Sequence, residues 1–290
     1  MIKNISNIIT KMTHTSARWS FNWSEWTPTE KEFQFAVACL QLDEKERIGR
    51  FVFKKDVKAS LIGRLMMKKF INEYANIPYN EILLTKDENN RPMLQHPSQL
   101  VDFNVSHQGN YTVFAGELGN LKIGVDVMKR EYSGGKSLSE FFRIMNRNFT
   151  INEWTEIKGP PGTSESEQIA MFVRHWALKE SYSKALGCGI TVDLDSLDFR
   201  TTSKLKEQEV IDDTVLEIKG VLQDWIFEET LIDSEHCVAV TLPKNIKSES
   251  RKKTFERLDF NQLMANAVPI FECDRDFCKS YFSKDEKPIL

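Results

Sequence analysis

Phe172-Val173-Arg174-His175-Trp176-Ala177-Leu178-Lys179-Glu180-Ser181-Tyr182-Ser183-Lys184-Ala185-Leu186-Gly187 reads as one helix, filled with good helix formers and stopped by Gly187-Cys188-Gly189. At about 100° per residue, His175, Leu178, Tyr182, Ala185 and Leu186 share one side as a packing stripe. Ala177, Glu180, Ser181 and Lys184 share another, where small residues carry one acid and one base a turn apart. Alone, such a Glu-to-Lys pair is an ordinary surface feature worth a few tenths of a kcal/mol. Its meaning depends on what surrounds it.

Just upstream, residues 158–167 hold Gly159, Pro160, Pro161 and Gly162, which predicts a loop. Residues 139–148 form a helical pattern, and a second begins at Phe149, capped by Thr150 or Asn152. Downstream the chain turns to short strands, at 194–200, 214–219, 220–227 and 237–242. The first half has a similar make-up. Trp19, Phe21 and Trp23 alternate with polar residues as in a half-buried strand. Thr27-Pro28-Thr29-Glu30 supplies a cap, a first-turn proline and a capping-box acid for a helix to about Leu40. Helices are predicted at 43–53 and at 56–74, the latter capped by Asp56 and carrying Arg64, Lys68 and Lys69. Basic residues on helices are usually only solvated.

Strands at 82–85 and 91–94 flank a turn at 86–90. Residues 101–105, 111–116 and 122–127, joined by a loop at 106–110 and a turn at 118–120, predict an antiparallel meander. In a meander the first and third strands run the same way. Asp126 is therefore expected on the rim that carries His107 and Gln108, across one intervening strand, or roughly 10 Å. Alternation sets Asp126 opposite Ile123, Val125 and Val127, and Gly124 clears space beside it.

The chain of 290 residues is long enough for a full core, with 41% hydrophobic and 28% charged residues. A net charge of −3 gives no general nucleic-acid footprint, so an anionic ligand must be met by local basic groups. Five cysteines without CxxC spacing argue against a disulfide framework or a zinc site, and fit a reducing, cytoplasmic setting. No apolar run approaches the ~20 residues of a membrane span. Residues 1–24 lack acids and loosely suggest a mitochondrial transit segment, although their basic residues are few. The organisation expected is an N-terminal α+β subdomain at 17–125, a C-terminal α+β subdomain at 126–243, and a linker and tail at 244–290: a charged linker at 244–253, an alternating stretch at 254–260, a short helix at 261–267 and a poorly ordered end at 273–290.

Gly124-Val125-Asp126 followed by Trp176-Ala177-Leu178-Lys179-Glu180-Ser181-Tyr182-Ser183-Lys184 resembles a known signature. It is that of the large, Sfp-like 4′-phosphopantetheinyl transferases, G-(I/V)-D and W-x-x-K-E-(S/A)-x-x-K. Asn104-Val105-Ser106-His107 matches the family's N-x-S-H segment, Asn90-Arg91-Pro92 is similar to its G-K-P, and residues 143–154 resemble the block between the two signatures. Residues 43–49, 106–109 and 261–269 resemble the animal cytosolic branch, and the likeness spans about 18–270.

The resemblance implies a pseudo-twofold pair of α+β subdomains with the ligand cleft between them, in a monomer. It implies coenzyme A as substrate, with its phosphopantetheine arm moved to a serine of apo acyl, peptidyl or aminoadipate-type carrier domains, fatty acid synthase among their owners. Adenosine 3′,5′-bisphosphate is released. By resemblance, Asp126 and Glu180 hold Mg²⁺, a hard ion suited to a few carboxylates plus phosphate and water oxygens. Glu180 is the general base, Lys184 holds the phosphates, and His107 donates to the pyrophosphate. Arg47 and Arg91, with Lys86 and the backbone of Asp87, Glu88, Asn89 and Asn90, grip the 3′-phosphate and adenine side. Asn104, Val105 and Ser106 extend the coenzyme A contacts beside His107, as Ser181 does beside Glu180.

There is one departure. Bacterial members usually carry a third acid two residues after the G-x-D aspartate, where this chain has Met128. A thioether is too soft for Mg²⁺, so Gln108 is expected to supply an oxygen, directly or through water, unless it only bonds within its turn. Two other readings compete: a Mg²⁺-dependent phosphohydrolase, which wants further acids or histidines, and a non-catalytic coenzyme A or carrier-binding module, which expects a broken signature.

Overall fold

The aromatic alternation near the N-terminus becomes β1 (Ser16–Asn22), whose Trp19 and Phe21 are buried. The computed structural model describes residues 15–98, 100–132, 134–187, 193–272 and 274–286, so most of the transit-like segment and Cys188-Gly189 lie outside the described residues. Helix α1 (Glu30–Ala38) starts two residues later than expected. Thr29 is its cap, sharing a capping box with Glu32, and Pro28 stays outside the helix. Helix α2 (Leu42–Gly49) is short, and α3 (Lys54–Ala75) runs 22 residues, with Asp56 in its first turn rather than at its cap.

A hairpin of β2 (Leu84–Lys86) and β3 (Pro92–Leu94) leads to β4 (Val101–Gln108) and β5 (Tyr111–Leu118). β4 runs straight through the expected loop at 106–108, and only Gly109-Asn110 turns the chain, with Gly109 at φ +61°. Ser106, His107 and Gln108 are therefore strand residues on alternating faces. Helix α3 packs Leu61, Leu65 and Phe70 into one cluster with Trp19, Phe103 and Phe114 from the sheet.

The expected meander fails at its third strand. β6 (Gly124–Lys129) leaves the first sheet and pairs with β11 (His236–Pro243). The second sheet continues through β10 (Trp225–Leu231) and β8 (Ile211–Ile218) to β7 (Leu197–Arg200), with β9 (Val221–Leu222) paired to β8. Val125 and Val127 of β6, Val238 and Val240 of β11, and Tyr111, Val113 and Ala115 of β5 form one buried apolar cluster that joins the halves. β6 keeps the predicted direction but gains a larger apolar partner.

Helices α4 (Leu138–Ile144) and α5 (Ile151–Lys158) precede α6 (Glu165–Leu186), again 22 residues. The predicted loop ends early, because Ser164 and Glu167 form a capping box that starts α6. Gly187 at φ +71° ends it as expected. Each half thus lays a 22-residue helix on a mainly antiparallel sheet, an α+β plan.

The alternating stretch and the short helix expected after 253 are both present, whereas the end expected to be poorly ordered forms a helix. β12 (Glu256–Arg257) pairs parallel to β1, α7 (Phe260–Met264) follows, and α8 (Arg275–Phe282) stacks Tyr281 on Phe33 at 3.8 Å between ring centroids. The Lys54 and Lys55 amides, otherwise orphaned at the start of α3, donate to the carbonyls of Asp285 and Glu286 at 2.9 and 3.1 Å. Leu258, Leu263, Met264, Cys278 and Tyr281 belong to the first half's core, while Phe255 joins the cluster between the halves. Among the described residues, no helix is long and apolar enough to cross a membrane.

Candidate active site

Gly124 brings the halves of the site together. A Cβ at this position would stand 1.9 Å from the Ser181 carbonyl oxygen and 2.6 Å from the Ala185 amide nitrogen, so only glycine lets α6 lie this close to β6. Side chains of β4 then bridge to β6. Asn104 Oδ1 accepts the Val125 amide at 3.0 Å, and Gln108 Oε1 accepts the Lys129 amide at 2.6 Å. Between them, Ser106 Oγ donates to Asp126 Oδ1 at 2.7 Å. Asp126 is thus next to β4, not a strand away.

Lys184, one turn beyond Glu180 on α6, directs its ammonium at Asp126 Oδ1 (2.6 Å), Ser106 Oγ (2.9 Å) and the Val125 carbonyl (3.2 Å). Three donors meet three acceptors. Asp126 Oδ2, by contrast, is buried and has no hydrogen-bond partner. A buried carboxylate oxygen left this way is costly, and a bound cation would satisfy it. Glu180 is half-buried on the same side of the helix as Lys184. Burial and then the Asp126 charge raise its pKa, opposed by Lys184. The charge of Asp126 thus reaches Glu180. Among the described residues no three His, Cys, Asp or Glu side chains gather as a ready-made metal group. The residues present fit Mg²⁺, provided ligand and water oxygens complete its shell.

Several expected contacts have other partners. The Gln108 oxygen is engaged by Lys129, so it stitches strands rather than facing the acids. Ser181 is fully buried, bonded to the Leu178 carbonyl and Thr241 Oγ1, and presents nothing to a ligand. Arg91 pairs with Asp102 at 2.5 Å and donates to the carbonyls of Phe103 (3.1 Å), Ile123 (2.8 Å) and Lys184. It braces β4, the approach to β6 and the end of α6, with little left for a phosphate. The face of α6 carrying Ala177 and Ser181 is core rather than surface. Lys179 is buried as well, bonded to Glu153 (2.8 Å) and to the carbonyls of Leu194 and Leu197 (each 2.7 Å).

A recess of about 180 Å³ opens between α3 and β4, bordered by Arg47, Ser60, Arg64, Pro92, Asn104 and His107. Arg47 Nη2 donates to Ser60 Oγ at 2.7 Å. The His107 ring reaches solvent at the mouth, yet the protein around it desolvates it, and Lys184 and Arg47 add positive charge. Its pKa is lowered, so it is a neutral donor at pH 7. Lys86 pairs with Pro92 in the adjoining hairpin, whose tip is an Asx turn: Asp87 Oδ1 accepts the amides of Asn89 (2.9 Å) and Arg91 (2.8 Å). Glu88, Asn89 and Asn90 are exposed there, and Val105 is half-buried beside α3. Sequence reasoning did not single out Ser60, Arg64 or Glu44 for this recess. Their only signal is the i, i+4 and i, i+3 spacing to Arg64 and Arg47 on two helices whose packing was not readable.

Two family models match the chain. One, described as 4′-phosphopantetheinyl transferase, N-terminal, covers residues 24–119, and the other, 4′-phosphopantetheinyl transferase superfamily, covers 122–241. The chain belongs to the 4′-phosphopantetheinyl transferase family. It is accordingly a transferase enzyme. The seam between the two models falls where β6 leaves the first sheet. Among curated relatives, the L-aminoadipate-semialdehyde dehydrogenase-phosphopantetheinyl transferase of Xenopus laevis is 37% identical over 94% of each chain. That of Homo sapiens is 39% identical over 94% of this chain and 93% of its own. A phosphopantetheinyl transferase of Thraustochytrium sp. is 32% identical over 77% of each.

Proposed function

We propose that this transferase moves the 4′-phosphopantetheine arm of coenzyme A onto a serine hydroxyl of apo carrier domains, of the acyl, peptidyl or aminoadipate type, fatty acid synthase included. The observation that carries the reading is Asp126, a buried carboxylate with one oxygen held by Lys184 and the other unpartnered, beside Glu180. Names of relatives support the carrier class. Mg²⁺ held by Asp126 and Glu180 would neutralise the pyrophosphate as charge develops.

The recess at Arg47 receives the 3′-phosphate, with His107 at its mouth donating to the pyrophosphate. The serine oxygen forms a bond to the phosphorus next to the pantetheine arm. The bond from that phosphorus to the bridging oxygen breaks, and adenosine 3′,5′-bisphosphate leaves with the electron pair. Glu180, directly or through a water, takes the serine proton, for which it must be ionised. Lys184 needs only a short swing from Asp126 to meet charge on the leaving phosphate.

Incubation with coenzyme A, Mg²⁺ and an apo acyl carrier domain tests the reading. A mass gain on the carrier equal to the phosphopantetheine arm is expected. Bisphosphate released without a modified carrier would instead indicate a hydrolase, and coenzyme A binding with neither product a binding module.

A further inference from the structure

The recess contains more positive charge than one arginine. Arg64, on α3, borders it opposite Arg47 of α2. Glu44, also on α2 and buried, faces both guanidinium groups: its Oε2 pairs with Arg64 Nε and lies 3.8 Å from Arg47 Nη2. Asp43 acts on Arg64 as well, yet the residues that line the recess include both arginines and no acid, so its wall is positive. The donors are not used up. Arg47 Nε is buried without a hydrogen-bond partner, and Arg64 Nη1 meets only the sulfur of Met67 at 3.5 Å, a weak acceptor. Burial lowers the Arg64 pKa against the pull of Glu44, and the charge of Arg47 adds to the lowering, so the two cations lie within each other's field. Such a pair is unfavourable until a dianion enters.

We propose that Arg64 is a second phosphate-binding arginine of this recess, acting with Arg47 on a terminal phosphate monoester, and that Glu44 holds the two guanidinium groups apart and oriented while the recess is empty. Two forks converging on one tetrahedral group can bind it from two sides. A monoester dianion is favoured over a neutral hydroxyl at the same position. This rests on the reading of the recess as the 3′-phosphate subsite.

Calorimetric titration with adenosine 3′,5′-bisphosphate and with adenosine 5′-monophosphate tests it without any need for turnover. The parent protein should prefer the bisphosphate. Arg64→Ala should lose about 10- to 100-fold of that preference, as expected for a charged hydrogen bond, with monophosphate affinity nearly unchanged. Arg64→Lys, which keeps the charge and most of the packed stem, should retain part of the preference and guards against a folding defect in the alanine variant. In turnover, both variants should raise KM for coenzyme A, leave KM for 3′-dephospho-coenzyme A alone, and hold kcat within a few-fold. If Arg64→Ala and Arg64→Lys discriminate like the parent while Arg47→Ala does not, the role of Arg64 is overturned and the recess reading stands. If Arg47→Ala also discriminates like the parent, the recess does not receive this phosphate and both fall.

Discussion

At the scale of single residues, charge and burial compete at Glu180. Its raised pKa means that, between the ordinary value of 4.5 and the raised one, the folded chain holds a proton that the unfolded chain has released. Stability therefore falls as pH rises through that window, and at neutral pH the ionised side chain is a cost. Glu180→Gln should melt at a higher temperature than the parent in metal-free buffer, while kcat falls about 100-fold or more and coenzyme A affinity persists. A variant with parental kcat would remove Glu180 from the chemistry. Arg91 is the converse, a motif residue spent on structure. Removing it strands Asp102, whose pKa burial already raises against the pull of Arg91. Arg91→Ala should destabilise by about 3 kcal/mol, read by denaturant titration, which far exceeds the cost of losing a surface charge.

At the scale of elements, the distance between α6 and β6 decides whether Asp126, Glu180 and Lys184 form one site. Gly124→Ala must push the helix off the strand, since the nearest atoms are backbone. A shift near 1 Å at the reacting centre costs about 100-fold, so kcat should drop by that order even if the protein stays folded. Circular dichroism with single-turnover kinetics checks this. The tail supports the other side of the cleft. Helix α8 packs Phe277 beneath Gly49 of α2, and Asp274 pairs with Lys45 there, each two residues from Arg47 in the same helix. Tyr281→Ala should cost about 3 kcal/mol or more through the lost stacking on Phe33, and raise KM for coenzyme A with kcat little changed. A change in kcat alone would show that α8 does not act through α2.

At the scale of the whole molecule, the halves share the valine-rich cluster of β5, β6 and β11, so they should melt in one calorimetric transition. Coenzyme A at 100 times its Kd should raise stability by about 2.7 kcal/mol and move that transition intact, with Mg²⁺ adding to the shift and Asp126→Asn losing the Mg²⁺-dependent part. Two separate transitions would deny the coupling. Much of this was legible in the residues. Heptad-like spacing and Gly187 set the central helix, and alternation placed Asp126 opposite Val125 and Val127 with Gly124 beside it. Those are local matters of steric and hydrophobic period, so the chain states them directly. What the period could not state was the partner. β6 alternates identically in either sheet, and only the apolar face of β11, more than a hundred residues away, draws it from the meander. That choice brings Asp126 to Ser106 and Lys184, turns Gln108 and Ser181 inward, and spends Arg91 on carbonyls. The stretch from 273 likewise looked too short and polar to fold, because the surface that stabilises α8 belongs to Phe33 and the open end of α3. Sequence alone determined which residues could carry the chemistry, and long-range burial decided which of them meet.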